Sequence, residues 1–262
     1  MSSELLSQPG GPTHRLTINR PARRNALTPA LARQLAVEIE QIEDAGEARV
    51  IILSGAGGHF CAGLDLHWLS SLGADPSVSD LQHGLSDFQS AVIAIVRCPI
   101  PVIAVVQGTV AGFGFDLALA CDMRLAGSSA GFTSAFARIG LVPDGGSTFT
   151  LPRLVGVGRA LRVLMTNQTL DASTALSIGL VEEVFEDASL EQGVLRIVGE
   201  LLASADSSLR AIKRLCRAPE VGALEQALST EGAAQLQALQ GPDFLLRLEA
   251  FTARAATGTE RA

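Results

Sequence analysis

The chain has 262 residues, which is enough for one large domain or two modest ones. Hydrophobic residues make up 47% and charged residues 18%, so the chain can form a large core and lacks the composition of a disordered protein. The formal net charge of −7 argues against a general nucleic-acid-binding surface, which would need an excess of lysine and arginine. We therefore expect no nucleic-acid partner, and local arginines would have to meet a ligand that carries phosphates.

The first residues and the cysteines point to a compartment. The N-terminal segment MSSELLSQPGGPT lacks a basic start followed by an apolar stretch, so we expect no signal peptide. The apolar residues 91–121 are interrupted by charged residues and prolines, which favours a buried strand and helix over a membrane span. The cysteines lack disulfide-type and metal-type spacing and are predicted to be buried thiols of a reducing compartment: Cys61, Cys98, Cys121 and Cys216. These features predict a cytoplasmic protein with no membrane partner.

The first predicted elements are a strand and a long helix. Residues 13–19 alternate in polarity like a half-buried strand, and PARRN then forms a loop. Thr28 followed by Pro29 predicts a helix start, and apolar residues recur at helical spacing until Gly46 predicts its end.

Two short apolar strands follow, over residues 50–53 and 100–106, and each runs into a glycine-rich turn. The turns read SGAGGHFCAGLDL and QGTVAGFGFDLALACD. Further along, Asp171 is predicted to cap a short helix that ends at Gly179, with VEEVF as an edge strand behind it. From Ser189 onward the pattern is helical with short breaks, so we predict an α/β core with a helical C-terminal part.

Three short motifs match known sites only formally. GAGGHF has Phe60 where a dinucleotide fingerprint needs its third glycine, so a nicotinamide cofactor is not expected. GSSAG resembles the nucleophile turn of serine hydrolases, but that triad needs a histidine after the serine and all four histidines precede Ser129. Cys61 lies two residues from His59, a spacing that does not bring side chains together on a helix, and a packed thiol is expected.

The two glycine-rich turns are candidates for an anion site. Helices are predicted to start near Leu64 or Asp65 and near Phe113, and first-turn N–H groups lack internal partners at the positive end of the helix dipole. Two such ends converging from adjacent strands would hold a developing oxyanion between two donors. The glycines alternatively serve only to permit tight strand-to-helix turns, and spacing leaves both interpretations open.

Two aspartates are candidate acid/base groups. Asp116 lies three residues after Phe113 on the same helical face, where its carboxylate could overhang the anion site. A first-turn acid that complements the helix dipole is the ordinary alternative, and it explains Asp65 better. Asp144, in the segment GLVPDGGS, fits either turn chemistry or a base at the floor of a pocket.

Five segments, in this order over roughly residues 13–190, resemble the crotonase or enoyl-CoA hydratase/isomerase superfamily: NRPARRNAL, GAGGHFCAGLDL, QGTVAGFGFDLALACD, FARIGLVPDGGSTFTLPRLVG and LDASTALSIGLVEEV. The resemblance implies an α/β fold with a ββα spiral core over residues 1–200. It also implies a helical C-terminal trimerisation region over residues 201–262, in a homotrimer or a dimer of trimers.

The resemblance also implies site roles. The oxyanion-hole donors would be the backbone N–H groups of Leu64 and Phe113. The substrate would be an acyl-CoA thioester, with coenzyme A as part of the substrate, no permanently bound cofactor and no metal. The coenzyme A contacts would come from Arg23, Arg24, Ala26, Ala62, Asp65 and Leu66, and from Phe251 and Arg254 toward a neighbouring subunit.

The departures from the family pattern select among its reactions. The two hydratase glutamates fall on Asp116, which is one methylene shorter, and on Phe136, which cannot carry a proton. Asp144 falls where family isomerases that act on dienoyl-CoA and on ring-epoxidised phenylacetyl-CoA carry an aspartate. The resemblance therefore favours an acyl-CoA isomerase with Asp144 and Asp116 as its catalytic acids.

Two other functions remain open: a hydratase that uses Asp116 and Asp144, and an acyl-CoA-binding protein of this fold without turnover. Hydration needs one group to activate water and another to protonate the neighbouring carbon. Three aromatic residues could line an acyl pocket that tolerates aromatic groups, although such residues are more often plain core: Trp68, Phe88 and Phe136.

Overall fold

The computed structural model describes residues 3–72 and 77–256, with the backbone alone for residues 249 and 251–256. Within these ranges the strands are β1 (Leu5–Gly10), β2 (Thr13–Ile18), β3 (Val50–Gly55), β4 (Val102–Val106), β5 (Thr109–Ala111), β6 (Met123–Gly127), β7 (Gly131–Thr133), β8 (Leu170–Asp171) and β9 (Glu183–Phe185). The helices are α1 (Pro29–Ala45), α2 (Leu66–Ser71), α3 (Val78–Arg97), α4 (Phe113–Ala120), α5 (Ser147–Val155), α6 (Val157–Thr166), α7 (Ala172–Ser177), α8 (Leu190–Leu202), α9 (Asp206–Leu239) and α10 (Pro242–Ala256).

The strands form two sheets. The larger has the order β1-β2-β3-β4-β6-β9, in which β1 and β2 are antiparallel and every later pair is parallel. β9 lies at its edge, as predicted for VEEVF. The smaller sheet consists of β5, β7 and β8. β5 directly precedes the second glycine-rich turn, so this sheet fixes the position of that turn.

The local signals around α1 are confirmed. The Thr28 hydroxyl accepts a hydrogen bond from the Leu31 N–H, and Gly46 ends the helix in the left-handed conformation at φ +68°. The apolar face of α1 packs on α3 and contributes Leu35 and Ile39 to the core. Side-chain capping at the start and a glycine at the end are therefore enough to set both boundaries.

The apolar residues 91–121 are divided among several elements rather than forming one continuous segment. They contribute the end of α3, the buried strand β4, the short strand β5 and the whole of α4. Among the helices that the structure describes, none combines the length and the apolar character needed to cross a membrane.

The C-terminal part is helical, as predicted, but part of it packs into the main core. Leu224 and Leu228 of the long helix α9 are buried in the same cluster as α3 and α4. The α/β core with a helical C-terminal part is confirmed. The division into residues 1–200 and 201–262, and the trimer, stay predictions.

Burial of the cysteines is confirmed at three positions and wrong at one. Cys61, Cys98 and Cys121 are buried free thiols, and burial raises the pKa of Cys61 and of Cys121 to about 12. Cys216 is exposed, because it lies on the outward side of α9. The Cys61 sulfur accepts a hydrogen bond from the Gly63 N–H, which fits a packed thiol.

Candidate active site

In the first glycine-rich turn, the N–H of Leu64 points away from the neighbouring segment that contains Leu27. The Leu27 N–H donates to the Gly63 carbonyl (2.7 Å) and the Asp65 N–H donates to the Leu27 carbonyl (2.8 Å). Leu64 lies between these two bonds. Because the peptide groups of an extended chain alternate in direction, its own N–H points to the opposite side.

The second turn presents the N–H of Phe113 in a similar way. The Gly112 N–H donates to the Thr133 carbonyl, and the Gly112 carbonyl accepts from the N–H groups of Phe115 and Asp116. Phe113 is the first residue of α4, so its N–H is one of the donors that a helix leaves without an internal partner.

The two turns are in contact at Gly63. Its φ is +91°, and a Cβ atom there would lie 2.8 Å from the Ala111 carbonyl oxygen and 3.0 Å from the Phe113 nitrogen. Only glycine combines this backbone conformation with so close an approach. The structure thus brings the turns of Leu64 and Phe113 together, and we call these two N–H groups the amide pair.

An apolar cavity of about 180 Å³ lies beside the amide pair. Leu64, Gly112 and Phe113 line it at the turns, and the predicted pocket residues Trp68, Phe88 and Phe136 all line it as well. The Phe88 and Phe113 rings meet edge to face, with centroids 4.7 Å apart. Further lining residues are Leu66, Leu69, Leu81, Leu85, Leu141 and Leu239.

Asp144 is the single carboxylate among the described residues that line this cavity. Its Oδ2 accepts a hydrogen bond from Gln235 Nε2 (3.0 Å). Its Oδ1 is inaccessible to solvent and has no hydrogen-bond partner among the described residues. Burial raises the pKa of Asp144 to about 7, and the negative charge of Glu231 adds to the rise while the Gln235 bond opposes it. A carboxylate with this pKa can both take and return a proton near neutral pH.

Asp116 is fully buried on α4 but does not line the cavity. Its Oδ2 accepts from the Gly145 N–H (3.0 Å), whereas its Oδ1 has no partner among the described residues. Burial, followed by the charges of Glu231 and Asp144, raises the pKa of Asp116 well above the usual carboxyl range. The structure therefore places Asp116 behind Asp144, in contact with the backbone that carries it.

Three polar residues hold Asp144 in place and were missed by the sequence reasoning. Gln89 Nε2 on α3 donates to the Asp144 carbonyl (3.1 Å) and to the Leu228 carbonyl (2.8 Å). Glu231 and Gln235 on α9 are buried and contact the segment around Asp144. The one signal in the sequence was that Glu231 and Gln235 are polar and four residues apart, so they share one face of a helix. Nothing in the sequence shows that this face is the buried one.

The residues assigned to coenzyme A by resemblance lie at the turns and the loop beside them. Arg23 and Arg24 are exposed and Ala26 is buried, and Ala62 and Leu66 line the cavity. The side chains of the two remaining members of the set, Phe251 and Arg254, lie outside the described residues. The assignment of this set to coenzyme A stays a prediction.

The Asp65 side chain has a structural role in the fold. Its Oδ1 accepts from the N–H groups of His67 and Trp68 at the start of α2, and its Oδ2 pairs with Arg20 (2.8 Å). Burial alone would raise the pKa of Asp65, but the Arg20 pair and the two N–H bonds hold it below its usual range. This matches the capping interpretation, and the Asp65 backbone is engaged within the fold as well: its N–H donates to the Leu27 carbonyl and its carbonyl accepts from the Leu69 N–H (3.1 Å).

In the part of the chain that the structure describes, no three His, Cys, Asp or Glu side chains come together in a group that could hold a metal ion. The polar groups near the cavity are instead two backbone N–H groups, the Asp144 carboxylate, the Gln235 amide and the Arg138 side chain. This set suits the stabilisation of an anion and the transfer of a proton.

Comparison with known proteins places this geometry in a family. The family model described as enoyl-CoA hydratase/isomerase matches residues 13–251. The chain is 34% identical over 236 residues to a probable enoyl-CoA hydratase of Rhodobacter capsulatus, covering 90% of each chain. It is 33% identical over 242 residues to the 1,2-epoxyphenylacetyl-CoA isomerase of Escherichia coli, covering 91% of each.

The solved structures agree. The crystal structure of an enoyl-CoA hydratase from Mycobacterium avium subsp. paratuberculosis superposes with a TM-score of 0.86 at 32% identity, covering 96% of each chain. The predicted resemblance and the predicted fold class are therefore confirmed.

Proposed function

Because the chain belongs to the enoyl-CoA hydratase/isomerase family, we propose that it is an acyl-CoA isomerase with Asp144 as its acid/base group. The observation that carries this proposal is that Asp144 is the single carboxylate among the described residues that line a mostly apolar cavity. Moving a double bond needs one group that takes a proton and returns it elsewhere, whereas hydration needs two groups at the substrate. Asp116, the second acid, is behind the cavity wall.

The reaction conserves atoms and electrons. In a 3-enoyl-CoA, Asp144 takes a proton from the carbon beside the thioester carbonyl, and the electron pair moves onto the carbonyl oxygen. The amide pair donates to that oxygen, where one such donor is worth on the order of 10²–10³ in rate. Asp144 then returns the proton to the far carbon of the former double bond, and the product is the conjugated 2-enoyl-CoA.

The cavity wall supports a mostly apolar acyl group. Leucine and aromatic side chains make up most of the wall and would bury the apolar part of an acyl chain, while Arg138 is the one cationic side chain among the described lining residues. Trp68, Phe88 and Phe136 are placed to contact a ring or a branched chain. Coenzyme A would lie toward the loop of Arg23, Arg24 and Ala26. The enzyme would be cytoplasmic and would form a homotrimer or a dimer of trimers.

The test compares two substrates. With 3-enoyl-CoA, the absorbance of the conjugated thioester should appear; with 2-enoyl-CoA, hydration would make it disappear. Asp144→Asn should lower kcat/KM for the isomerisation by about 10²–10⁴-fold, the range of positioned general-base catalysis. Asp116→Asn should cost less. Equal turnover by Asp144→Asn and the parent would overturn the assignment of the base.

Hydration is the runner-up, and the relatives named as hydratases keep it open. Loss of conjugated absorbance at a rate that matches or exceeds the isomerisation would favour it. Calorimetric binding of acyl-CoA without any conversion would instead support a binding protein without turnover.

A further inference from the structure

Gln235 holds the acid-bearing segment on one side of Asp144. We call residues 141–148 the acid loop. Gln235 is 2% exposed; its Oε1 accepts from the Val142 N–H (3.0 Å), and its Nε2 donates to Asp144 Oδ2 (3.0 Å). One amide side chain therefore fixes both the backbone two residues before the acid and one of the two carboxylate oxygens.

Glu231 holds the acid loop on the other side. It lies four residues before Gln235, one turn of α9 away on the same face. Its Oε2 accepts from the Gly146 N–H (2.7 Å), and its Oε1 accepts from the Thr148 N–H (3.0 Å) and the Thr148 hydroxyl. These are donors at the start of α5, whose N-cap residue Gly146 has no side chain to satisfy them. A carboxylate is favoured at that position by the helix dipole as well.

The contacts from Gln235 and Glu231 fix the Asp144 carboxylate at the cavity wall. With Oδ2 bound to Gln235 and the backbone fixed on both sides, Oδ1 keeps no partner among the described residues, and Asp144 lines the cavity. Resting on the isomerase function proposed above, we infer that Glu231 and Gln235 of α9 are positioning residues that orient the Asp144 carboxylate at the cavity wall.

The two residues act on the proton affinity of Asp144 in opposite directions. The donor from Gln235 lowers the pKa of Asp144, and the negative charge of Glu231 raises it, both on top of the rise caused by burial. Asp116, Asp144 and Glu231 are the titratable groups that face one another here, and Arg138 lines the same cavity. If Gln235 and Glu231 only stabilised the fold, their substitution would not shift the pH profile of kcat/KM in opposite directions.

The experiment measures kcat and KM against pH for the parent, Gln235→Met and Glu231→Gln, two substitutions that nearly keep side-chain length. We expect Gln235→Met to move the acidic limb of kcat/KM to higher pH and Glu231→Gln to move it to lower pH, each by on the order of one unit. We also expect kcat to fall roughly 10–100-fold with KM little changed, since misplacement by about 1 Å costs about 10²-fold. Limbs that stay in place, or move in the same direction, would overturn the inference.

Controls come from the same helix. Gln237→Met changes an exposed glutamine and Glu225→Gln removes the charge of a surface ion pair with Arg97, and neither should move the limb. If Gln235→Met does not fold, Gln235→Glu is the alternative, because it keeps an acceptor for the Val142 N–H. It places a second carboxylate beside that of Asp144, so the acidic limb of kcat/KM should move to higher pH.

Failure of this inference is distinguishable from failure of the function. Full activity in Asp144→Asn would remove the proposed base and, with it, the inference. If Asp144→Asn is inactive while the α9 variants keep the limb of the parent, the base assignment stands and only the positioning role is wrong.

Discussion

The amide pair and the acid loop face one cavity but are built in different ways. The amide pair is positioned by its own turns. Glycines permit the close approach of the two turns, and main-chain hydrogen bonds of the neighbouring residues orient the N–H groups of Leu64 and Phe113. The acid loop is set from a distance, by Gln89 on α3 and by Glu231 and Gln235 on α9. The first half of the site depends on backbone conformation and the second on buried side chains, so they should fail under different substitutions.

Among the substitutions that separate the two halves of the site, the one that disrupts the amide pair alone should have the largest effect. In Gly63→Ala, the new methyl group would meet the Ala111 carbonyl at 2.8 Å and the Phe113 nitrogen at 3.0 Å. We expect kcat/KM to fall on the order of 10²–10³-fold, the cost of losing one oxyanion donor, with kcat rather than KM carrying the loss. Steady-state kinetics on the 3-enoyl-CoA would measure it.

Gly58→Ala is the matched control for that substitution. Gly58 has a similar positive φ of +77°, but a Cβ atom there meets nothing within 4 Å. It shares the conformational strain and lacks the collision, so its activity should stay close to that of the parent. Equal losses in both variants would mean that strain, and not separation of the two turns, causes the effect.

A smaller effect should come from the point where the two halves meet. A Cβ atom at Gly145 would lie 2.6 Å from Asp116 Cβ and 2.9 Å from Phe113 Cε2. Gly145→Ala should therefore push the acid loop away from α4 and lower kcat by roughly 10²-fold, as misplacement by about 1 Å does. Gly222→Ala on α9, where a Cβ atom meets nothing, is the control. Unchanged kcat in a folded Gly145→Ala would show that Asp144 does not need this contact.

The same contrast explains what the sequence could predict. The caps of α1 and both strand-to-helix turns follow from local patterns of glycine, proline and capping side chains, and the structure has them where expected. The assignment of the Leu64 and Phe113 N–H groups as oxyanion donors came from the family resemblance and stays a prediction. β1 was missed because LLSQPG, with a proline and several polar residues, alternates too weakly to signal a strand. Asp144 stood out only through its unusual surroundings and the family resemblance. Glu231 and Gln235 could not be found, because partners about 90 residues away are brought together by tertiary packing alone.

The smallest expected effect is on the free energy of unfolding. It concerns Asp116 and does not involve the amide pair. Burial and two neighbouring carboxylates raise the folded-state pKa of Asp116 above its unfolded value. The stability that this group contributes is therefore fully present below the unfolded pKa and is lost as the pH rises through the folded pKa. Asparagine does not titrate, so Asp116→Asn escapes that loss while its side-chain oxygen can still accept from the Gly145 N–H.

Thermal unfolding of the parent and of Asp116→Asn at pH 5 and pH 8 tests this directly. The unfolding midpoint of the variant should gain on that of the parent between the two pH values, by roughly 2–4 °C for each 1 kcal/mol. In Asp116→Asn the amide nitrogen takes the place of Oδ1, and the free-energy cost of burying it does not change with pH, so it cancels in the difference. Asp144 and Glu231 are present in both proteins, so most of their titration cancels too. An identical difference at both pH values would mean that the folded-state pKa of Asp116 is not raised into or above this range. Its place behind the acid loop would then rest on its hydrogen bond to Gly145 alone.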